Sequence, residues 1–105
     1  MNRRLRLEVL ARDGKRCAYC GVITTGKNGP NRTRTVIEHS FGPLHQDIGY
    51  LVVSCRRCNS VKNRMSAPEW LSRIDKTIQE ARDLSKIRHR VSSVISTVLN
   101  RVGAL

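Results

Sequence analysis

At 105 residues with 4% aromatic content, the chain has room for one domain, or one small domain with a helical appendage, and too few large side chains for a core that stands unaided. Twenty basic against eight acidic residues leave a formal charge of +12, the balance of a chain that meets nucleic-acid phosphates; the plainer reading is a basic face that only keeps the protein in solution. No stretch approaches the roughly 18 to 20 consecutive apolar residues of a membrane span, and the opening NRRLRLEVLARD alternates arginine with leucine instead of running apolar like a secretory signal, so a cytoplasmic protein with no membrane partner is expected.

Residues 3 to 12 set Leu5, Val9 and Leu10 at helical spacing between arginines, and Asp13-Gly14 is a stop, so the chain opens on a short amphipathic helix. It runs into Cys17-Ala18-Tyr19-Cys20, a CxxC turn on which Tyr19 is expected to pack, the alternative being that it stacks on a base. Gly21 to Arg34 has no period and an Asn-Gly-Pro-Asn core, which reads as a loop whose Lys27, Arg32 and Arg34 either reach a phosphate backbone or are merely solvated. Two strands follow, about Arg34 to His39 and about Gly49 to Ser54, antiparallel partners joined by a segment holding Gly42 and Pro43. A helix from about Arg56 to Arg64 starts at the second turn, Cys55-Arg56-Arg57-Cys58, and puts Asn59 and Asn63 on one face with Lys62 beside them. Strand, strand and helix make a ββα unit framed by two CxxC turns.

Ser66-Ala67-Pro68-Glu69 is a capping-box pattern that starts a new helix at Ser66. From Trp70 onward, Leu71, Ile74, Ile78, Ala81, Leu84, Ile87, Val91, Val94, Val98 and Val102 fall on steps of three and four, an apolar stripe carried by one long helix or by two with a break near Asp83 to Lys86. The stripe exceeds what so small a zinc domain covers. It asks for a partner surface: the N-terminal helix, its own second half, or a second copy, which would make a homodimer through the C-terminal helix. The expectation is a small α+β fold with a zinc-stabilised core over residues 1–65 and a helix or helical hairpin over 66–105.

The chemistry lies in the core. Zinc takes four soft ligands in a tetrahedron, and two CxxC turns in a chain without an export signal supply them, so Cys17, Cys20, Cys55 and Cys58 form a closed structural Zn²⁺ site with no open position for catalysis. Phosphodiester hydrolysis needs an activated water and charge stabilisation at the leaving oxygen. His39 can accept the water's proton near neutral pH. Glu38 offers a carboxylate oxygen and Asn59 an amide oxygen, a donor set suited to Mg²⁺ or Mn²⁺, with Asn63 either a further ligand or a surface residue. Arg56, Arg57, Lys62 and Arg64 would face phosphates if the domain binds nucleic acid, and form a solvated helix face otherwise. Neighbours on a regular strand point to opposite faces, so Glu38 and His39 must sit at a strand end or flank the phosphate from two sides. His45 reads first as a surface histidine of the connecting loop and second as an accessory ligand or phosphate contact, and His89 as exposed on the long helix.

Arg12-Asp13-Gly14 before Cys17-Ala18-Tyr19-Cys20-Gly21, then Ile37-Glu38-His39, then Leu51-Val52-Val53-Ser54-Cys55-Arg56-Arg57-Cys58-Asn59, closing at Lys62, follow one another in an order that resembles the HNH endonuclease family, in the zinc-ribbon branch that includes phage recombination endonucleases. The resemblance covers about residues 5 to 65. It implies a ββα-metal (His-Me finger) core, one catalytic divalent cation, and DNA hydrolysis leaving 5′-phosphate and 3′-hydroxyl ends. It makes His39 the general base and Glu38 and Asn59 the metal ligands, and Asn63 falls where some relatives place another. It also implies a phage or mobile-element protein acting in a bacterial host. Two departures matter: Glu38 stands where Asp is common, and Tyr50 stands where the family has an asparagine bracing the histidine loop, which leaves that support to a residue such as Asp47. Two other functions fit: a zinc-ribbon DNA-binding module without catalysis, in which Glu38 and His39 are structural, and a phage adaptor protein whose long helix is the working part.

Overall fold

The computed structural model describes residues 3–77 and 83–103. Among them the elements run α1 (Arg3–Asp13), a 3-10 turn (Asn31–Thr33), β1 (Thr35–His39), a 3-10 turn (Ile48–Tyr50), β2 (Leu51–Cys55), α2 (Arg56–Lys62), α3 (Ala67–Thr77) and α4 (Asp83–Val102). This is a small α+β fold: a two-stranded antiparallel sheet, four helices and a four-cysteine cluster. No helix among the described residues is long and apolar enough to cross a membrane.

α1 stops where its sequence says it should. Gly14 takes the left-handed φ of +74°, and its N–H reaches back to the Leu10 carbonyl at 2.8 Å, closing the last turn. Val9 is wholly buried against Ile37, Leu51 and Val53, with Leu5 and Leu10 packed around them. That contact fixes one face of the sheet.

β1 and β2 pair with Glu38 opposite Val52 and His39 opposite Leu51. All five residues of β2 are buried, because the strand is covered on both sides: Leu51 and Val53 meet α1, and Val52 meets the helical layer. A strand buried on both faces reads as an apolar run instead of an alternation. β2 begins two residues later than the apolar run suggested, since Asp47 accepts the Gly49 N–H at 2.9 Å and folds Ile48–Tyr50 into a 3-10 turn. The end of α4 presses on that turn so closely that a Cβ at Gly49 would lie 2.8 Å from Val102 Cγ1.

The loop between the first CxxC turn and β1 is pinned by threonines. Thr24 Oγ1 donates to the Lys15 carbonyl, Thr35 Oγ1 to Thr24 Oγ1, and the Thr25 backbone pairs with Thr33 and Thr35. The capping box at Ser66 is formed, with the Glu69 N–H donating to Ser66 Oγ at 3.2 Å and Ser66 Oγ contacting the Glu69 carboxylate at 3.3 Å.

Among the described residues the apolar stripe of the C-terminal helices is covered within the chain; the side chains of Ile78, Ala81 and Leu84 lie outside the described residues. Trp70 and Ile74 of α3 and Val91, Val94 and Val98 of α4 join Cys17, Tyr19, Val52, Cys55 and Cys58 in one buried cluster. The described part of the stripe is met by its own second half and by the cysteine core, so a homodimer has no support from these residues. The helical segment is two helices; the anticipated break near Asp83 to Lys86 does not interrupt α4, which starts at Asp83, and residues 78–82 lie outside the described residues.

Candidate functional site

The two CxxC turns converge. The Sγ atoms of Cys17, Cys20, Cys55 and Cys58 all lie within 4.8 Å of one another, with Cys20 and Cys55 3.8 Å apart. Sulfurs about 2.3 Å from a tetrahedral zinc would be about 3.8 Å from each other, so the cluster fits that ion. Each turn is preset by its own backbone: the Cys20 N–H points at Cys17 Sγ (3.5 Å), the Cys58 N–H points at Cys55 Sγ (3.4 Å), and Gly21 turns the chain with φ +84°. The protons are distributed as close-packed thiols require. A hydrogen bond from the Cys58 thiol holds Cys17 down at about 4, and donating that bond pushes Cys58 up. Burial, followed by the neighbouring cysteines, pushes Cys20 up to about 11. Four such sulfurs cannot all be thiolates without a cation among them.

The second feature is a cleft of about 210 Å³ lined by Glu38 and His39 of β1, Gly42 and Pro43 of the following loop, Asn59 of α2, and Asn63 and Arg64 just beyond it. Residues twenty apart in sequence meet here because α2 returns across β1 after the second CxxC turn. Asn63 is not on the helix. It stands after Lys62 with φ 55° and ψ −126°, in a turn closed by the Met65 N–H on the Lys62 carbonyl at 3.1 Å. These are the angles of the first corner of a type II′ turn, where glycine is the usual residue, so an asparagine here carries backbone strain on the wall of a cleft.

Strand alternation decides what Glu38 can do. His39 turns to the cleft side, and its Nε2 lies 3.0 Å from Gln46 Oε1. Glu38 turns inward and is only 4% exposed. Its Oε1 pairs with the Lys62 ammonium, and its Oε2 accepts the Tyr19 hydroxyl at 2.6 Å. Burial, then the charge of Glu38, raises the Tyr19 hydroxyl well above the ordinary tyrosine range, so it remains a donor. Lys62 also donates to the His39 carbonyl at 3.2 Å and to the Met65 carbonyl at 2.5 Å. The group expected as a metal ligand is therefore committed to an internal ion pair, and Lys62, expected to face DNA, has no exposed surface. A lysine in that position knots β1, α2 and the start of α3 together.

The other basic candidates lie outside. Lys27, Arg32, Arg56, Arg57 and Arg64 are exposed, and Arg34, half-buried, donates to the Lys27 carbonyl at 3.1 Å. His45 is exposed and tilts against Tyr50 with ring centroids 4.7 Å apart; His89 is exposed as anticipated. Asp47 caps its own turn and does not support His39. Gln46 does, and the Gln46 amide is itself oriented by donating to the Pro43 carbonyl. With its NH₂ spent on Pro43, Gln46 offers His39 only an acceptor, so Nε2 carries the proton of the neutral ring and Nδ1 is left bare.

No protein-family model, curated protein or solved structure matches the chain. The cleft and the cluster therefore stand on their own geometry. One partner of Glu38 had left a trace in the sequence: a buried tyrosine needs an acceptor, and between Asp13 and Asp47 the only acidic residue is Glu38. Gln46 left none beyond being a polar residue in the histidine's loop.

Proposed function

We propose that the chain is a divalent-metal-dependent DNA endonuclease of the HNH type, its ββα core held by a structural zinc on Cys17, Cys20, Cys55 and Cys58. The observation that carries this reading is the meeting of His39, Asn59 and Asn63 around one open cleft, with an oriented imidazole whose Nδ1 is free to accept a proton. His39 takes the proton of the attacking water through Nδ1. Gln46 holds the ring in that tautomer, and Lys62, gripping the His39 carbonyl, holds the backbone beneath it. Arg64, at the cleft wall, faces the scissile phosphate.

Asn59 and Asn63 are the side chains that would hold Mg²⁺ or Mn²⁺, the remaining positions going to water and phosphate oxygens, and the ion would supply charge neutralisation at the leaving oxygen. Glu38 contributes by fixing Lys62. Its charge is not offered to the ion unless it leaves both Lys62 and Tyr19.

That last point favours a second reading, a zinc-stabilised DNA-binding module without catalysis, because the cleft then lacks an available carboxylate. Incubation of purified protein with supercoiled plasmid and Mg²⁺ separates the two. Nicking by the wild type that disappears in His39→Ala supports the enzyme; no nicking with Mg²⁺ or Mn²⁺, alongside tight plasmid binding, supports the module.

A further inference from the structure

A second concavity of about 280 Å³ lies between the first CxxC turn and α4, and it shares no lining residue with the His39 cleft. Its floor gives a ligand little to touch, since Cys17, Val52, Val53, Val94 and Val98 are at most 6% exposed. What a ligand meets is the rim, made of Arg16 on one side and of Arg90, Ser93, Thr97 and Arg101 on the other. The last four are spaced three, four and four residues apart, so they form one stripe along α4 beside the buried valines. Over eleven residues that stripe extends about 16 Å.

The charges on the rim are not balanced. Both oxygens of Asp13 are held by Arg12, at 2.8 and 2.7 Å, and one of them also by Arg101 at 3.1 Å, so this acid is already spent. Arg16 donates to the Gly21 carbonyl at 2.6 Å. The Arg90 guanidinium lies over the same glycine, within 2.5 Å of where a Cβ would stand, and has no hydrogen bond or ion pair among the described residues. Two guanidinium groups thus crowd one glycine with no free carboxylate beside them. Like charges this close cost energy unless an anion lies between them.

We propose that this rim is a phosphate-binding site for the backbone of a nucleic acid, separate from the His39 cleft. A lone anion would need one pocket of donors. A 16 Å row of two arginines and two hydroxyls facing a third arginine matches a polymer whose phosphates recur about every 3.4 Å of axis per strand. The site does not depend on cleavage at His39, because it would hold a phosphate whether or not the cleft cuts.

The test uses the full-length zinc-loaded protein without Mg²⁺, a fluorescein-labelled 20-base-pair duplex, and anisotropy titrations over a range of salt. Arg90→Gln and Arg16→Gln should each weaken binding several-fold and reduce the slope of log K against log salt by about 1. Zinc content and melting temperature, measured in parallel, should be unchanged. In the second arm, millimolar inorganic phosphate is titrated while the Arg90 Nε resonance is followed by NMR. Movement of that resonance with duplex and not with inorganic phosphate supports the backbone site. Saturation by free phosphate, with the duplex slope unchanged in both variants, overturns it in favour of a small-anion site. Faster zinc loss in the variants with an unchanged slope also overturns it, and makes the arginines counter-charges to the cysteine cluster. Since no readout is cleavage, the result is independent of whether the plasmid is nicked.

Discussion

The cysteine cluster and the His39 cleft sit at opposite ends of α2, and they were built from sequence in different ways. In the cluster all four donor side chains point inward to one spot, because each CxxC turn orients its own sulfurs through local N–H contacts. In the cleft the donors come from a strand, a helix and a turn, and one expected donor, Glu38, is taken up by Lys62 and Tyr19. A site made of local turns survives translation from spacing to space; a site made of strand neighbours is split by the pleat.

The comparison is broken most severely at the cluster. Zinc on four cysteines contributes on the order of 10 kcal/mol or more to a small fold, against a total stability of about 5 to 15 kcal/mol for a domain. Removing zinc with a chelator should therefore unfold the chain outright, seen as loss of far-UV circular dichroism and of the Trp70 emission shift, and re-addition should restore both. At pH 7 Cys17 is already a thiolate, whereas Cys20 and Cys58 still carry protons in the metal-free cluster. Zinc uptake should release those protons, measurable in weak buffer with a pH indicator. Lowering the pH should favour the metal-free chain, because protons compete for the same sulfurs.

Next in size is the ion pair behind the cleft. Lys62→Met leaves the Glu38 carboxylate buried without its cation and should cost about 3 to 5 kcal/mol in urea unfolding. Glu38→Gln in the same chain should recover much of that loss, since the orphaned charge is removed. If Lys62 were instead a phosphate contact, Lys62→Met would leave stability unchanged and lower the salt slope of DNA binding. A double-mutant cycle over the two residues reads the coupling directly.

These two outcomes mark what the residues disclosed in advance. The ends of α1 at Gly14, the two strands, α2 behind the second CxxC turn and the capping box at Ser66 all follow from local signals, and so does the four-sulfur site. The burial of Lys62 does not, because a lysine in an Asn-Ser-Val-Lys-Asn-Arg run looks like any solvated helix residue until β1 supplies a carboxylate. Nor does the covering of the C-terminal stripe, since periodicity shows that Val91, Val94 and Val98 share a face and not that Trp70 and the cysteine turns are what they meet. Tertiary partners have no address in a single sequence.

Asn63 sharpens the comparison further, because there the cleft carries strain that the cluster does not. Its φ of 55° with ψ −126° suits glycine. Asn63→Gly should raise the unfolding free energy by about 1 kcal/mol while removing an amide from the cleft wall. A gain in stability joined to a loss of plasmid nicking would mark Asn63 as a residue kept for chemistry. A gain in stability with nicking unchanged would return it to the surface.

The smallest effect belongs to Gln46. Its hydrogen bond to His39 Nε2 is neutral and lies near the surface, so its contribution is about 1 kcal/mol, or a few-fold in rate. Stability should hardly move in Gln46→Leu, and the informative readout is the ring itself. At a pH where His39 is neutral, imidazole ¹⁵N shifts should report a proton on Nε2 in the wild type and a mixture of both tautomers in the variant. Gln46→Asn, whose amide sits one methylene short of the ring, should behave like Gln46→Leu. A wild-type ring with its proton on Nδ1 would mean that the Gln46 amide is turned the other way, and Nδ1 would no longer be the nitrogen that accepts a proton.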